Sequence, residues 1–319
     1  RNCFYVVDPD TRSSRQIETA VQFESIAVDE ASGNVFIAGR ESRELGFYEA
    51  SSRKLRMLGW AETEETLVNL NATPPPPVRK VVADRSLGSI VAVDGIEPTI
   101  TVFDGTSGKR KRSRPIELSA GGRWHLGGYN ETSHHLYLVV ETTERRVVAA
   151  AKIDVTGNDD VIVPLPEYTE GVGITYNAAR EEVYIPYDNH ASVHVVEFGS
   201  GGELHEIMIP AYGNDGSAVD AENDILYIAS WAHGEIDVID LEKRKLVTRH
   251  PGLGIIPHMF ALAFNSKTGL VYFPKGASAV NGTFGSAVSA FDPATGEVSK
   301  IHTGWAPIDL IEVSSRNSF

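Results

Sequence analysis

The 319-residue sequence predicts an all-β fold built from one repeated four-stranded unit, and three observations carry that prediction. An Asp or Asn is followed seven residues later by an aromatic or β-branched residue six times, at Asp29/Phe36, Asp84/Val91, Asn130/Tyr137, Asn177/Tyr184, Asp220/Tyr227 and Asn265/Tyr272. A second column of acids closes a later strand of each unit, at Asp8, Glu49, Asp104, Asp154, Glu197, Asp240 and Asp292. Apolar residues alternate with polar ones on both sides of short Gly- or Asn-containing hinges, as in IAVDEASGNVFIAG and SAVDAENDILYIAS. That is the pattern of half-buried strands joined by tight antiparallel turns.

Taken in order, the first column marks the turn between the first and second strands of a unit. Runs such as VHVVEFGSGGELHEIMI and IDVIDLEKRKLVTRH then supply a third strand, a turn and a fourth, so each unit of 41 to 55 residues gives four antiparallel strands. This is the spacing of a β-propeller blade. Six units are complete. The N-terminal CFYVVDPDTRSSRQIE holds only a third and fourth strand around Asp8, and the C-terminal PIDLIEVSS reads as a first strand whose second strand is not evident. Joining Ile308 to Val313 with Phe4 to Asp8 in one sheet closes the ring and removes the exposed edge that an open array leaves. The fold class is therefore predicted as all-β: a seven-bladed β-propeller, four antiparallel strands per blade, closed by joining the N- and C-terminal strands, one domain over residues 1–319.

The segment YIASWAHGEIDVIDLEKRKLV (Tyr227 to Val247) resembles the repeat of the YVTN-type seven-bladed propellers. VYFPKG and SAVSAFDPATGEVSKI, within Val271 to Ile301, are similar in their strand, acid, turn and strand layout, although the literal tetrapeptide is absent. The resemblance covers the whole chain loosely and implies architecture rather than activity. Such propellers serve as surface, periplasmic and binding proteins, and similar rings host lactonases and lyases.

Composition narrows the function. The chain is 42% hydrophobic with a formal charge of −14, and no apolar run approaches the length of a membrane helix, so no membrane span is predicted. An acidic surface repels phosphate backbones, which argues against nucleic acid as a partner. The one basic run, Lys109 to Arg114, reads as a solvated hairpin tip beside Gly108. A single cysteine, Cys3, closes no internal disulfide and leaves no Cys-based metal centre. The chain starts at Arg1 rather than Met, as a processed or trimmed form would, and sequons at Asn71, Asn130 and Asn281 fall in turns. Together these point to a secreted or periplasmic glycoprotein, with a cytoplasmic location left open.

Loop lengths select a working face. In a propeller the turn between second and third strands and the connection to the next blade open on one face. The insertions Trp60 to Val78 and Lys275 to Ala287 and the connection Pro251 to Met259 all belong there, while the opposite hinges are tight. His190 and His233 occupy equivalent turns of successive blades on this face, and His125 and His258 precede first strands. These four are the candidate catalytic residues. Glu24, Arg79, Glu170, Asp215 and Asp309 lie at comparable positions before first strands, and Trp124, Tyr187, Trp231 and Trp305 supply aromatic walls. The remaining histidines, His134, His135, His194, His205, His250 and His302, read as structural or solvent-facing.

The leading expectation is a propeller that binds an organic small molecule or short peptide at the channel mouth, with aromatic contact and charged groups for orientation. An enzyme at the same mouth is the alternative: an acid–base or metal-assisted lactone hydrolase, lyase or cyclase using one of the four histidines. A protein-binding scaffold is the third reading, with a protein partner on the same loops. No cofactor is predicted, and no HExxH spacing supports a metal, so a channel metal ion is the less favoured option. No G-x-S-x-G elbow occurs, and the GSGG run at Gly199 to Gly202 serves a turn between third and fourth strands.

Overall fold

The computed structural model describes residues 3–8, 13–18, 23–29, 31–39, 44–52, 54–59, 78–94, 99–116, 122–142, 146–157, 159–169, 173–210, 212–253, 262–275 and 287–302. They form six four-stranded antiparallel sheets and one two-stranded sheet. The two-stranded sheet pairs β1 (Cys3–Asp8) with β2 (Ser13–Glu18). Blade 1 holds β3 (Phe23–Asp29), β4 (Asn34–Gly39), β5 (Glu44–Glu49) and β6 (Lys54–Gly59). Blade 2 holds β7 (Val78–Asp84), β8 (Ser89–Asp94), β9 (Thr99–Asp104) and β10 (Arg110–Pro115). Blade 3 is β11 (Gly122–Asn130), β12 (His135–Thr142), β13 (Arg146–Asp154) and β14 (Val161–Thr169). Blade 4 is β15 (Thr175–Asn177), β16 (Glu182–Pro186), β17 (Ser192–Glu197) and β18 (Glu203–Met208). Blade 5 is β19 (Asn214–Asp220), β20 (Ile225–Ser230), β21 (Glu235–Asp240) and β22 (Lys245–His250). Blade 6 is β23 (Ala263–Asn265), β24 (Leu270–Lys275), β25 (Ala287–Phe291) and β26 (Val298–His302).

Each sheet pairs its strands in sequence order, and successive sheets approach one another through their first strands, β3 to β7, β7 to β11, β11 to β15, β15 to β19 and β19 to β23. First strands therefore line the centre and fourth strands form the rim, as in a β-propeller. The blade count corrects the expectation of seven: the described residues form six four-stranded blades. The reason is already present in the repeat, because the column that makes the turn between first and second strands has six members, and Asp8 belongs only to the second column. Its hairpin, β1 and β2, is a separate two-stranded sheet among the described residues. Ile17 of that hairpin packs against Val28, Val35, Ile37 and Tyr48 of blade 1, and β2 also lies near β26 of blade 6. The pairing expected for Ile308 to Val313 lies outside the described residues.

Both repeat columns have a physical cause. Asp and Asn side chains accept hydrogen bonds from backbone N–H groups two and three residues on, which closes the turn without a partner strand. In the first column Asp84 Oδ1 accepts from Leu87 N, Asn130 Oδ1 from Thr132 N and Ser133 N, Asn177 Oδ1 from Ala179 N, Asp220 Oδ1 from Glu222 N and Asn223 N, and Asn265 Oδ1 from Lys267 N and Thr268 N. Asp104, Asp154, Asp240 and Asp292 do the same in the second column. Four residues after every first-column residue the backbone is left-handed: Gly33, Gly88, His134, Glu181, Asp224 and Gly269 have φ of 73°, 55°, 56°, 51°, 54° and 70°. Glycine takes that conformation freely, whereas a side chain there is strained.

Core clusters sit between blades. One joins Phe36, Leu45 and Phe47 of blade 1 to Val81, Ile90 and Phe103 of blade 2, and four more fill the following joints up to Phe273 and Phe291 of blade 6. The basic run is placed differently from the sequence expectation. Its turn is residues 105–109, and Arg110–Pro115 form the rim strand β10. Arg112 donates to Thr156 O at 3.2 Å, and Arg114 pairs with Asp160 at 2.8 Å, so these cations clamp blade 2 to the outer turn of blade 3.

Candidate functional site

Among the described residues, the expected working face is best defined over blades 4 and 5, at residues 187–191, 209–217 and 231–234. The β16–β17 turn, the β20–β21 turn and the β18–β19 connection converge there because antiparallel pairing sends all three to the same end of the sheets. Gly213 threads between the two turns. Its N–H donates to Asp188 O, its carbonyl accepts from Trp231 N at 2.8 Å, and its φ is 76°. A Cβ at this position would meet Ala232 Cβ at 2.8 Å and Trp231 Nε1 at 2.9 Å, so only glycine fits.

Side chains complete the junction. Trp231 Nε1 donates to Asp188 Oδ1 at 2.7 Å, Asn214 Nδ2 donates to Tyr187 O at 3.1 Å, and Ser230 Oγ donates to Tyr212 O at 2.9 Å. Over this rigid floor, Tyr212 is 57% exposed and its ring meets that of His233 edge to face at 5.5 Å. An exposed phenol beside an exposed imidazole offers apolar contact and a polar tip together.

A second group lies a few residues outward in blade 4. His190 Nδ1 is 2.8 Å from Ser192 Oγ and 3.9 Å from Glu206 Oε1, and His194 Nε2 is 3.8 Å from the same carboxylate oxygen. His194 is buried, with Nδ1 3.0 Å from the Tyr187 hydroxyl. Burial pushes its imidazole below the ordinary range, while Glu206 opposes that shift and His190 adds to it. Glu206 thus stands between two imidazoles, one buried and one half-exposed, an arrangement able to hold or pass a proton. Ser192 is fully buried, which removes it as a nucleophile toward a bound molecule.

The structure places the sequence candidates unequally. His233 is exposed on its turn and His190 half-exposed on the equivalent one. Tyr187, expected as an aromatic wall, is buried in the joint between blades 3 and 4. Trp231, likewise expected as an aromatic wall, packs against the core cluster of blades 5 and 6 and bonds blade 4. Glu24, Arg79 and Asp215 share a backbone feature that the sequence did not show. Each is the inserted residue of a register shift in the first strand of its blade, between Phe23/Ser25, Val78/Lys80 and Asn214/Gly216. All three lie five residues before the first-column Asp, and His125 precedes Asn130 by the same interval within β11. Trp124 is its neighbour on that strand. His258, Glu170, Trp305 and Asp309 lie outside the described residues, as do 60–77 and 276–286. Asp188, Asn214, Tyr212 and Glu206 were missed. Asp188 shares the turn of His190, whereas Tyr212, Asn214 and Glu206 come to the histidines only through strand pairing and packing.

Inserted charged residues at matching positions of central strands, and turns converging at one end of the sheets, define a class: a β-propeller scaffold whose face between blades is suited to binding. No family model matches this sequence, and no curated protein matches it. Similar solved structures do exist. A chain of hydrazine synthase from Kuenenia stuttgartiensis superposes with a TM-score of 0.67 at 14% identity, over 95% of this chain and 90% of that one. A chain of the nidogen/laminin complex superposes with a TM-score of 0.53 at 12% identity, over 80% of this chain and 89% of that one. At such identities the likeness is one of fold. No helix among the described residues is long and apolar enough to cross a membrane.

Proposed function

We propose that residues 1–319 form a single propeller domain, with a blade repeat similar to that of the YVTN type, that binds an organic small molecule or short peptide at the channel mouth beside the first-strand bulges. The observation that carries this reading is that Glu24, Arg79 and Asp215 are inserted residues at equivalent places in three first strands. A bulge takes a residue out of the ladder and re-aims it, and bulges of this kind gather beside binding sites. Equivalent bulges that carry two acids and an arginine suit a ligand bearing both charges, and the Tyr212 and His233 rings offer apolar contact on the side of blades 4 and 5.

The test is a thermal-shift screen of amino acids, short peptides and small organic acids and amines, with hits measured by calorimetry. The Arg79→Ala/Asp215→Ala double variant is expected to bind a hit more than about tenfold more weakly while unfolding at the wild-type temperature. Unchanged affinity in that variant would remove the mouth as the site. One observation favours the enzyme alternative, the His190–Glu206–His194 group, and it predicts turnover of a bound hit that His190→Gln abolishes without loss of binding. A protein partner docked on the exposed Tyr212 is the remaining reading, to be tested by cross-linking at that position.

A further inference from the structure

We propose that Glu197, Glu203 and His205, at the outer edge of blade 4 on the face opposite the mouth, form a binding site for a divalent transition ion of the zinc class. The strand register builds the group. Glu197 ends β17 and is paired directly with Glu203, which starts β18, and His205 follows two residues later on the same side of that strand. One ligand atom from each of the three lies within 4.8 Å of the others, and among the described residues no other group of His, Cys and carboxylates is gathered so closely.

The distances fit an ion. His205 Nε2 is 3.3 Å from Glu197 Oε1 and 3.7 Å from Glu203 Oε2. Tetrahedral ligands held at about 2.0–2.2 Å from zinc stand about 3.3–3.6 Å apart. His205 Nε2 is itself shielded from solvent and has no hydrogen-bond partner, so the nitrogen points at the two carboxylates without donating to either. A nitrogen that faces two carboxylates and makes no hydrogen bond is placed to share a cation with them.

Charge points the same way. Carboxylates placed directly opposite each other across an antiparallel pair repel unless a cation lies between them. Arg244 of blade 5 contacts Glu197 and also reaches Glu182 at 3.5 Å, so it neutralises the Glu197 side and has a second acid to retreat to. Glu203 has only His205 as its ionic partner among the described residues. One imidazole with two carboxylates suits zinc or its neighbours, whereas magnesium and calcium favour oxygen alone. Glu203 is 64% exposed, which leaves an entry path and an open fourth position for water.

The test uses the purified full chain, stripped with a chelator and titrated with Zn2+ alone in a calorimeter. Uptake of one ion per chain is expected, weakened more than about tenfold in His205→Gln and in Glu203→Gln, with the far-ultraviolet spectrum and apo unfolding temperature kept. Because Glu203 is exposed, its variant remains informative if His205→Gln folds poorly. Arg244→Asn removes the competing guanidinium, keeps a residue that tolerates the left-handed backbone there, and is expected to tighten Zn2+ binding several-fold. No uptake by the wild-type chain, or equal uptake in both ligand variants, would overturn the proposal. Unchanged or weaker binding in Arg244→Asn would also count against it.

Discussion

Two neighbouring joints of the ring are built from different chemistry. Between blades 4 and 5 the apolar cluster of Tyr184, Val193, Val195, Leu226 and Ile239 is edged by ions: Arg180 pairs with Asp224 at 3.1 Å, and Arg244 reaches Glu182 and Glu197. Between blades 5 and 6 rings take that place, with Tyr227 stacked on Phe264 at 5.6 Å and His250 edge to face with Phe291 at 4.8 Å. The difference traces to two turn positions. Blade 5 carries Asp224 and Arg244 where the backbone is left-handed, and both side chains reach back to blade 4, whereas blade 6 has Gly269 and Gly296 there and can reach nothing. The same device recurs at His134, whose Nδ1 is 2.9 Å from buried Asp84 of blade 2, and at Glu181, which pairs with Lys152 of blade 3 at 3.1 Å. All four non-glycine residues with left-handed backbone among those described make such a contact to the preceding blade. Backbone strain is offset by reach, and where no reach is needed glycine removes the strain.

The aromatic joint should be the more costly to break. Phe291 is fully buried, so Phe291→Ala is expected to lose about 4 kcal/mol in urea unfolding, with little dependence on salt. A loss under 1 kcal/mol would mean that the blade 5–6 cluster contributes far less than its burial implies. On the working face of the same joint, Gly213→Ala combines a strained φ with a Cβ contact at 2.8 Å and should cost about 3 kcal/mol. A neutral result by the same measurement would show that the junction under Tyr212 and His233 is pliable.

The ionic edge should respond to salt. Arg180 Nε lies 3.1 Å from Glu182, which is buried and otherwise served by Tyr184 and Arg244. Arg180→Met is expected to cost about 2 kcal/mol at low salt, less than full loss of a buried pair because the other donors remain. Raising the salt should shrink the difference, since the partly exposed members of the network are screened. A salt-independent loss would place the effect in side-chain packing.

Acid should act on the turns. The backbone and side-chain hydrogen bonds of Ser107 hold Asp104 down to about 2 from an ordinary value of 3.8, with Lys111 adding a smaller pull. A folded value below the unfolded one means that this carboxylate stabilises the fold fully above 3.8 and loses that contribution as pH falls through about 2. Asp104→Asn keeps an acceptor for the turn and removes the titration. The stability gap between wild type and variant should therefore be constant near neutrality and close between pH 4 and 2. A gap that persists at pH 2 would assign the effect to geometry instead of charge.

What the sequence disclosed follows from what is local. The Asp and Asn columns were legible because such a side chain closes a turn through its own next three residues, and the repeat follows from that. Blade count depended on residues far apart in the chain, and six complete turns against seven acids left it open to misreading. Lys109 to Arg114 looked like a hairpin tip because a strand and a tip share the same charges, and only Asp160 and Thr156 of the next blade reveal the clamp. The burial of Tyr187 and the packing of Trp231 were hidden for a similar reason, since an aromatic residue at a turn suits either a ligand wall or a joint. Glu24, Arg79 and Asp215 were found by position, while the bulges that distinguish them are a property of pairing.

The smallest expected effect is the most telling about strain and reach. Glu181 sits at φ 51° in the turn of blade 4, and Glu181→Gly would relieve about 1 kcal/mol of left-handed strain. The same change frees the unfolded chain, which costs about 0.4–1 kcal/mol, and removes the Lys152 pair, worth about 0.2–1 kcal/mol at a site this close to solvent. The terms nearly cancel, so unfolding free energy should move by less than about 1 kcal/mol. The reciprocal change involves no contact. Gly269 has open space around its missing Cβ, so Gly269→Ala meets no clash and gains no partner, and about 1 kcal/mol of φ strain less the roughly 0.4–1 kcal/mol returned by a stiffer unfolded chain leaves a loss of at most about 0.6 kcal/mol. If Glu181→Gly instead stabilises the chain by more than Gly269→Ala destabilises it, the ion pair to blade 3 offsets nothing, and the left-handed side chains are held there by packing elsewhere in the blade.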